Sequence, residues 1–396
     1  MSGAFDVLMG DATVGHLTWF GEGKFVWSEF AYSPQWLNNP SAYAVSPDLP
    51  LTSRTLSFGG APSLPGALED AGPDSWGQKL IGMRHPGRSL SVFEYLTDVD
   101  DRTRMGNLRI AVGGEVVRAE TEEIPSTTVL HDFAERTAKI GHLSDHEFEV
   151  IAVAGSSLGG ARPKMTMHDD DFGLSVVKFP FRSDDDDDVE GWEAVALSCA
   201  SDAGIEVAPF RHVRLGEFSS ALVTRRFDRG LAGERIGYIS AHTALGLPDA
   251  SHPYSFEMLA SVMDVLCDDP RADKASLFDR VAVSIVLDSV DDHMRNYGFL
   301  RTADGWRLAP AFDIVPDFRA PMIEATPIAH GHSGRGRTIG KLVDAHQIFG
   351  LAREEAEARV AGVVAACRRF RQYAHNFGIA ELDDSVLAER IEARIA

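Results

Sequence analysis

The segment 288–316 constrains the fold of this chain most strongly, because two polar motifs in it flank a β-hairpin pattern. Strand-forming residues occupy 297–301 and 306–309, and an Ala-Asp-Gly turn separates them. A hairpin folds back on itself, so the residues just before it and just after it lie close together. The sequence therefore predicts that Asn296 and Asp313, seventeen positions apart, share one site.

The first polar motif has the spacing of a phosphotransfer loop. Asp291 precedes Asn296 by five positions, which is the D-x-x-x-x-N spacing of protein-kinase catalytic loops. In such a loop the Asp accepts or orients the substrate hydroxyl proton and the Asn holds Mg²⁺. Asp313 stands where kinases place the metal-binding Asp of D-F-G, although the sequence here is A-F-D. Helix-end capping is the alternative for Asp291 and Asn296 taken alone.

A Gly/Ser-rich segment, VAGSSLGGARPKM (153–165), offers backbone N–H groups that can lie against phosphates. It has neither the G-x-x-x-x-G-K-[ST] order of a P-loop nor a G-x-G-x-x-G motif, so an ordinary flexible loop is the alternative. Its candidate nucleotide-binding residues are Gly155, Ser156, Ser157, Gly159, Gly160 and Lys164.

Lys178 lies among apolar residues in a predicted strand, Leu174–Phe179, where a buried ammonium group is costly unless its charge is matched. A nucleotide phosphate would match it, and so would Glu193 on the next predicted helix, as in the lysine–glutamate pair of kinases. The alternative is an edge-strand lysine whose ammonium group stays in water. The order of glycine-rich loop, strand lysine, helix glutamate, D-x-x-x-x-N loop, hairpin and metal aspartate is that of a kinase site.

Charge and cysteine content exclude other classes of protein. The chain has 38 Lys and Arg against 59 Asp and Glu, and a net charge of −21 argues against a general binder of nucleic-acid backbones. The acidic run 184–188 is typical of a solvated loop tip. Three widely spaced cysteines without a CxxC pair indicate a reducing, cytoplasmic setting. We expect no membrane segment, since no signal-peptide pattern and no apolar run of about 18 residues is present.

With these residues assembled, the chain resembles the HipA family of toxin kinases nearly end to end. Five ordered motifs carry the resemblance: LPGALEDAGPDSWGQKL (64–80), GGARPK (159–164), RRFDR (225–229), DDHMRN (291–296) and PAFDIVP (310–316). They are similar to the family's L-P-D-G-W-G segment, nucleotide-loop signature, E-R-F-D-R, T-D-x-H-x-K-N and P-x-Y-D. Two departures are Arg225, where the family usually has Glu, and a GGARPK loop in place of the Q-E-K form.

The resemblance implies an α+β, two-lobed, protein-kinase-like fold with a small β-rich N-terminal subdomain and an all-helical C-terminal lobe. We expect a HipA-type N-terminal subdomain over 1–110 and a kinase N-lobe with the glycine-rich loop over 111–228. The helical C-lobe, with the catalytic and metal-binding loops, is expected over 229–396.

The resemblance also implies a serine/threonine kinase toxin of a type II toxin–antitoxin system that uses ATP and Mg²⁺. Its expected partners are a HipB-like helix-turn-helix antitoxin, through which DNA is contacted only indirectly, and an aminoacyl-tRNA synthetase as the protein substrate. By this resemblance Asp291 is the catalytic base, and Asn296 and Asp313 bind the metal and nucleotide. Lys178, Arg226, Phe227 and His293 are the other expected nucleotide contacts. Autophosphorylation at Ser156 or Ser157 is expected to inactivate the kinase, because a phosphate there repels those of ATP.

Two other functions fit parts of the sequence. A metal-dependent phosphohydrolase could use Asp291, Asp292, His293 and Asp313, but it needs further histidines at helical spacing and leaves Lys178 unexplained. A catalytically silent pseudokinase that acts as an antitoxin or co-repressor partner is the second possibility. The Glu-to-Arg departure in RRFDR favours it, and the retained kinase residues argue against it.

Overall fold

The computed structural model describes residues 2–22, 25–60, 63–119, 123–157, 160, 162–181, 187–216, 219–248, 252–317, 325–379 and 386–395. The chain forms two compact units. The first comprises Met1–Val177, Asp228–Ile239 and Gly246–His252, and the second comprises Lys178–Phe227, Ser240–Leu245 and Pro253–Ala396. The three-domain division at residues 110 and 228 stays a prediction.

Strands and short helices alternate up to residue 178. The elements are β1 (Ser2–Met9), β2 (Ala12–Glu22), β3 (Phe25–Tyr32), α1 (Pro34–Leu37), β4 (Leu56–Gly59), α2 (Gly66–Asp70), α3 (Ser75–Arg84), α4 (Val92–Thr97), β5 (Leu108–Val112), β6 (Glu115–Val116), α5 (Leu130–Ala138), α6 (Asp145–Gly155), β7 (Lys164–Asp169) and β8 (Gly173–Lys178). Six of these strands form one antiparallel sheet in the order β4-β3-β2-β1-β5-β6.

The alternation of side chains decides which face of this sheet is buried. In β1, Phe5 and Val7 are buried and the residues beside them are not, as the two-residue period of a strand requires. Phe5 pairs with Leu17 on β2, and Leu17 pairs with Phe30 on β3. Directly opposed residues lie on the same face, so three strands contribute to one apolar surface.

From residue 189 onward helices predominate. The elements are α7 (Val189–Asp202), β9 (Phe210–Arg214), β10 (Ser220–Arg225), β11 (Tyr238–Ser240), α8 (Ala241–Ala244), α9 (Phe256–Leu266), α10 (Pro270–Val286), β12 (Gly298–Arg301), β13 (Trp306–Leu308), α11 (Ile339–Asp344), α12 (Arg353–Cys367), α13 (Phe370–Asn376) and α14 (Val386–Ile395). Helix α10 packs against α9, α11, α12 and α14. No helix in the described residues is long and apolar enough to cross a membrane.

The polar residues of 131–150 predict one helix from the sequence, and this prediction is wrong, because the stretch divides into α5 and α6. Ser144 begins the second helix with a capping box, in which its hydroxyl accepts from the N–H of Glu147 and the Glu147 carboxylate accepts from the Ser144 N–H. The S-D-H-E sequence is therefore a helix start within a polar stretch.

Asp188, the last residue of the acidic run 184–188, has a structural role at the start of α7. Its side chain caps α7 by accepting from the N–H of Gly191 at 3.1 Å, and it also accepts from Ser220 Oγ at 2.6 Å and from Arg214 Nη1 at 3.1 Å. Asp188 is buried, so this residue is not part of a solvated loop tip. Residues 184–186 of the run lie outside the described residues.

We expect Asp188→Ala to lower the free energy of unfolding by about 2 to 3 kcal/mol, because it removes a helix cap and two further hydrogen bonds. The matched control is Asp269→Ala, which removes the exposed cap of α10, where the carboxylate accepts from the N–H of Ala272. That loss is expected to be about 1 kcal/mol. Urea unfolding measures both variants, and equal losses would contradict the structural role of Asp188.

Candidate active site

Lys178, the last residue of β8, is bound by two carboxylates. Its Nζ lies 2.7 Å from both Oε atoms of Glu193 on α7 and 2.5 Å from Oδ1 of Asp313. The backbone N–H of Asp313 also donates to Glu193 Oε1 at 3.2 Å. These three residues, which we call the lysine cluster, therefore interact with one another directly. The expected partner of Lys178 on the next helix, Glu193, is present. The alternative, an edge-strand lysine whose ammonium group lies in water, is therefore wrong.

The two carboxylates of the lysine cluster raise the pKa of Lys178. Burial alone lowers the pKa of Lys178, but Asp313 and Glu193 outweigh this and raise it above its ordinary value. The side chain of Lys178 is 13% exposed and that of Glu193 is 4% exposed. Lys178 is therefore charged at neutral pH, and its ammonium group has a fixed position.

Asp313 has a backbone conformation that few side chains adopt. Its φ is 58°, in the left-handed region where Asp and Asn are the best-tolerated residues after Gly. The preceding Phe312 packs on Phe227, with ring centroids 5.3 Å apart. The residue before Asp313 is therefore held by an aromatic contact within the second unit.

The predicted β-hairpin is present, and Asn296 and Asp313 lie before and after it along the chain. Strands β12 and β13 pair antiparallel, with Phe299 opposite Leu308. Asn296 and Asp313, on either side of the hairpin, line the same small cavity of about 20 Å³. The hairpin therefore brings the two residues to one cavity.

Asp291 is the exposed carboxylate of the loop before the hairpin. The side-chain amide of Asn296 donates to the Asp291 carbonyl oxygen at 2.6 Å, which closes the loop, and His293 Nε2 lies 3.7 Å from Asp291 Oδ1. Partial burial raises the pKa of Asp291, Asp313 and Asp292 raise it further, and His293 opposes them. Because the side chain is 58% exposed, solvent access keeps the contribution of burial modest.

The neighbouring Asp292 has a structural role that the sequence did not predict. It is buried, and its Oδ2 lies 2.5 Å from Nη1 of the buried Arg337. Its Oδ1 accepts from the N–H of Thr326 at 2.8 Å, and its Oδ2 accepts from Ser284 Oγ at 3.1 Å. These contacts direct Asp292 away from the exposed side of the loop. Within the described ranges, no group of three His, Cys, Asp or Glu side chains could hold a metal ion.

We expect Arg337→Met to lower the free energy of unfolding by about 3 kcal/mol or more, because Asp292 is left as a buried charge without its ionic partner. The double variant Asp292→Asn/Arg337→Met removes both charges and should recover part of that loss. Thermal or urea unfolding of the single and double variants measures the coupling. Additive losses in the double variant would contradict the buried ion pair.

The serines of the glycine-rich segment are buried in the first unit. Ser156 lies at the end of α6, its hydroxyl donating to the Val153 carbonyl oxygen at 3.4 Å, and Ser157 is also buried. Gly155 is the last residue of α6, while Gly159 lies outside the described residues. Neither serine can be phosphorylated in this arrangement, so modification requires the end of α6 to become accessible.

Trp76 anchors the other end of this segment. Its backbone N–H donates to the Gly160 carbonyl oxygen at 3.1 Å, and its indole N–H donates to the Lys164 carbonyl oxygen at 2.9 Å. The following Gly77 has no room for a side chain, since a Cβ there would lie 2.3 Å from the Ser156 carbonyl oxygen. The S-W-G sequence on α3 therefore packs against the glycine-rich segment and supports it.

The RRFDR motif divides into two parts with different surroundings. Arg226 and Phe227 belong to the second unit, where Arg226 is buried and Phe227 packs beside the A-F-D motif. Asp228 belongs to the first unit and accepts from the N–H of Gly106 at 2.8 Å and from Arg229 Nη1 at 2.7 Å. Arg229 also donates to the carbonyl oxygen of Arg104 at 2.8 Å. The last two residues of the motif are therefore structural.

The second unit has the chemistry for a divalent cation. Asn296 and Asp313 supply an amide oxygen and a carboxylate, which are ligand types that Mg²⁺ prefers, and two protein ligands are typical when phosphates supply others. The Asn296 amide nitrogen already donates to Asp291, so its oxygen remains as the acceptor. Lys178 faces the carboxylates of both Glu193 and Asp313.

Two family models match the sequence. The HipA N-terminal domain matches residues 5–111, and the HipA-like C-terminal domain matches residues 156–370. No curated protein sequence matches the chain.

Among solved structures, the HipA toxin of Shewanella oneidensis MR-1, determined with HipB and its operator DNA, is similar with a TM-score of 0.72. The sequences are 18% identical, and the match covers 99% of this chain and 95% of that chain. The proinflammatory kinase CtkA of Helicobacter pylori also matches, with 15% identity over 60% of this chain and 93% of that chain. Its TM-score of 0.38 is too low to support an argument.

The predicted α+β, kinase-like fold class is confirmed by the similarity to HipA. The lysine cluster and the D-x-x-x-x-N loop both lie within residues 156–370, which the C-terminal family model matches. On the motifs, the fold and the two family matches together, this chain belongs to the HipA family.

Proposed function

We propose that this protein is an ATP- and Mg²⁺-dependent serine/threonine protein kinase that acts as the toxin of a HipA–HipB-type pair. The observation that carries the proposal is the lysine cluster, in which Lys178 lies between Glu193 and Asp313. A helix glutamate that positions a strand lysine, next to a metal-binding aspartate, is the arrangement that phosphotransfer by kinases requires. Family membership and the HipA fold support the same activity.

Each residue has a distinct task in this proposal. Lys178 binds the α- and β-phosphates, and Glu193 fixes the direction of its ammonium group. Asn296 and Asp313 would hold Mg²⁺, which would supply positive charge near the phosphates of ATP. Asp291 orients the acceptor hydroxyl and takes its proton, and its exposure leaves it accessible to a protein substrate.

The remaining nucleotide contacts are proposed from the family resemblance. They are Gly155, Ser156, Ser157, Gly159, Gly160, Lys164, Arg226, Phe227 and His293. Phe227 packs against Phe312 next to the metal-binding Asp313, which supports a role at the nucleotide. Lys164 is buried in the first unit, so we expect its contribution to require a rearrangement of the glycine-rich segment.

Partners and targets are also proposals. The Shewanella HipA structure contains HipB and operator DNA, which supports a HipB-like helix-turn-helix antitoxin as partner and DNA contact through that antitoxin. We propose an aminoacyl-tRNA synthetase as the phosphorylated substrate and the cytoplasm as the site of action. Autophosphorylation of Ser156 or Ser157 would serve as an off-switch, since the phosphorylated residue cannot return to its buried position.

We expect Asp313→Ala to abolish the Mg²⁺ dependence of ATP binding. The wild type should bind ATP at least about tenfold more tightly with Mg²⁺ than without, because Asp313 would hold a cation that offsets the negative charge of the phosphates. Calorimetric titration with and without Mg²⁺ measures the ratio, which should fall to about one in the variant. Asp304→Ala, which removes an exposed carboxylate in the hairpin turn, is the matched control and should keep the ratio. A Mg²⁺-dependent affinity retained by Asp313→Ala would refute the assigned role of this residue.

A further inference from the structure

We propose that the C-terminal helix α14 positions the catalytic loop through Arg390 and Arg394, which we call the arginine brace. This inference rests on the proposed kinase function, which it extends to residues outside the family-model match of 156–370. Arg390 and Arg394 are positioning residues, because they act through Asp288 and the segment after Asp313.

Asp288 is the main contact of the arginine brace. Its carboxylate lies 3.3 Å from Arg390 Nη1 and also accepts from Arg394 Nη2. Its side chain is only 6% exposed, so two guanidinium groups compensate a charge that is almost fully buried. Arg394 Nη1 donates to the Ile285 carbonyl oxygen at 2.8 Å, in the last turn of α10. The brace therefore joins α14 to the end of the helix that leads into the catalytic loop.

The backbone of Asp288 shows why a brace is needed. Its φ is 56°, so this residue adopts the left-handed conformation in which the chain leaves α10. This conformation is energetically unfavourable for residues other than glycine, and it persists only where surrounding contacts hold it in place. Asp291 follows three positions later, so the direction of the loop that carries it is set at this turn.

The arginine brace also reaches the segment after the metal-binding aspartate. The backbone N–H of Asp317 donates to the Asp288 carbonyl oxygen at 3.0 Å, and Arg390 Nη2 donates to the Asp317 carbonyl oxygen. Asp317 lies four positions after Asp313. One helix thus contacts the chain just before the catalytic loop and just after the metal-binding residue, and it fixes the spacing between the two.

Helix α14 is itself attached by an apolar face and by a surface ion pair. Leu387, Ala388 and Ile391 are buried, and Arg371 Nε lies 2.6 Å from Glu392 Oε1. This ion pair joins α14 to α13 without touching Asp288. Arg371→Gln therefore breaks an arginine–carboxylate contact of the same helix and leaves the arginine brace intact, which makes it a matched control.

The test compares Arg390→Gln/Arg394→Gln with Arg371→Gln in the full chain. We expect the double variant to lower kcat for phosphoryl transfer by about tenfold or more, since small displacements of catalytic groups cost about this much or more. The Kd for MgATP should stay within about threefold, because Lys178 and Glu193 are untouched. Hydrogen–deuterium exchange should rise in peptides that cover 288–296, while Arg371→Gln leaves both kcat and this exchange unchanged.

Two further variants separate positioning from loss of folding. Asp288→Asn removes the charge and tolerates the left-handed backbone, so it should reproduce the kinetic defect. Arg394→Lys keeps a positive charge, so its kcat should lie between that of the double variant and that of the wild type. Unchanged kcat and unchanged exchange at 288–296 in the double variant would overturn the arginine brace. If the wild type transfers no phosphate, the kinase proposal fails. Hydrogen–deuterium exchange at 288–296 then still shows whether the arginine brace orders this loop.

Discussion

Replacing Asp291 by Asn is expected to lower the rate of phosphoryl transfer by about 10²- to 10⁴-fold, the usual contribution of a positioned general base. The Asn side chain has nearly the same volume but cannot take the proton of the acceptor hydroxyl. MgATP binding should change by no more than about threefold, because Asp291 makes no expected contact with the metal or nucleotide. Transfer of labelled γ-phosphate and calorimetry of MgATP measure the two quantities.

A matched control for Asp291 lies in the hairpin turn. Asp304 is an exposed carboxylate eight positions after Asn296, and Asp304→Asn should leave the rate of transfer unchanged. If Asp291→Asn transfers phosphate at the wild-type rate, another group is the base. If it loses MgATP binding instead, Asp291 belongs to the metal site.

Replacing Lys178 by Met has the second large effect, because it acts on both binding and stability. Its loss removes the ammonium group that lies 2.7 Å from the carboxylate of Glu193, whose side chain is only 4% exposed. We expect the free energy of unfolding to fall by about 3 kcal/mol or more. The affinity for MgATP should fall at least about tenfold, because the ammonium group that binds the phosphates is gone.

The double variant Lys178→Met/Glu193→Gln separates the two effects. Removing the Glu193 charge should restore part of the stability, since the buried side chain at position 193 is then neutral. It should not restore MgATP affinity, since no ammonium group is present to bind phosphate. Equal stability of the two variants would contradict the coupling of Lys178 to Glu193, and restored affinity would contradict the role of Lys178 at the nucleotide.

The lysine cluster and the hairpin could be predicted from the sequence because their signals are local. A lysine in an apolar strand needs a charged partner, and the next helix supplies Glu193 only 15 positions away. The hairpin pattern likewise predicts that Asn296 and Asp313 converge. The direct contact between Lys178 and Asp313, 135 positions apart, has no local signal and required the folded chain.

Residues that support the catalytic loop were missed for a related reason. Arg337 contacts Asp292 across 45 positions, and Arg394 contacts Asp288 across 106 positions. Long-range ion pairs have no spacing rule, and arginines on polar segments resemble ordinary surface residues. The signal that remained in the sequence was the excess of carboxylates in 288–292, since adjacent acids in a buried loop need several cationic partners.

The central claim is that this chain transfers the γ-phosphate of ATP to a protein serine. The most direct test is mass spectrometry of the wild type and Asp291→Asn after incubation with ATP and Mg²⁺, with a parallel sample in excess chelator. We predict one added phosphate on Ser156 or Ser157 in the wild type with Mg²⁺, and none in the variant or the chelated sample. Absence of phosphate from every sample, together with no ATP binding by calorimetry, would contradict the kinase proposal and favour a catalytically silent member of the family.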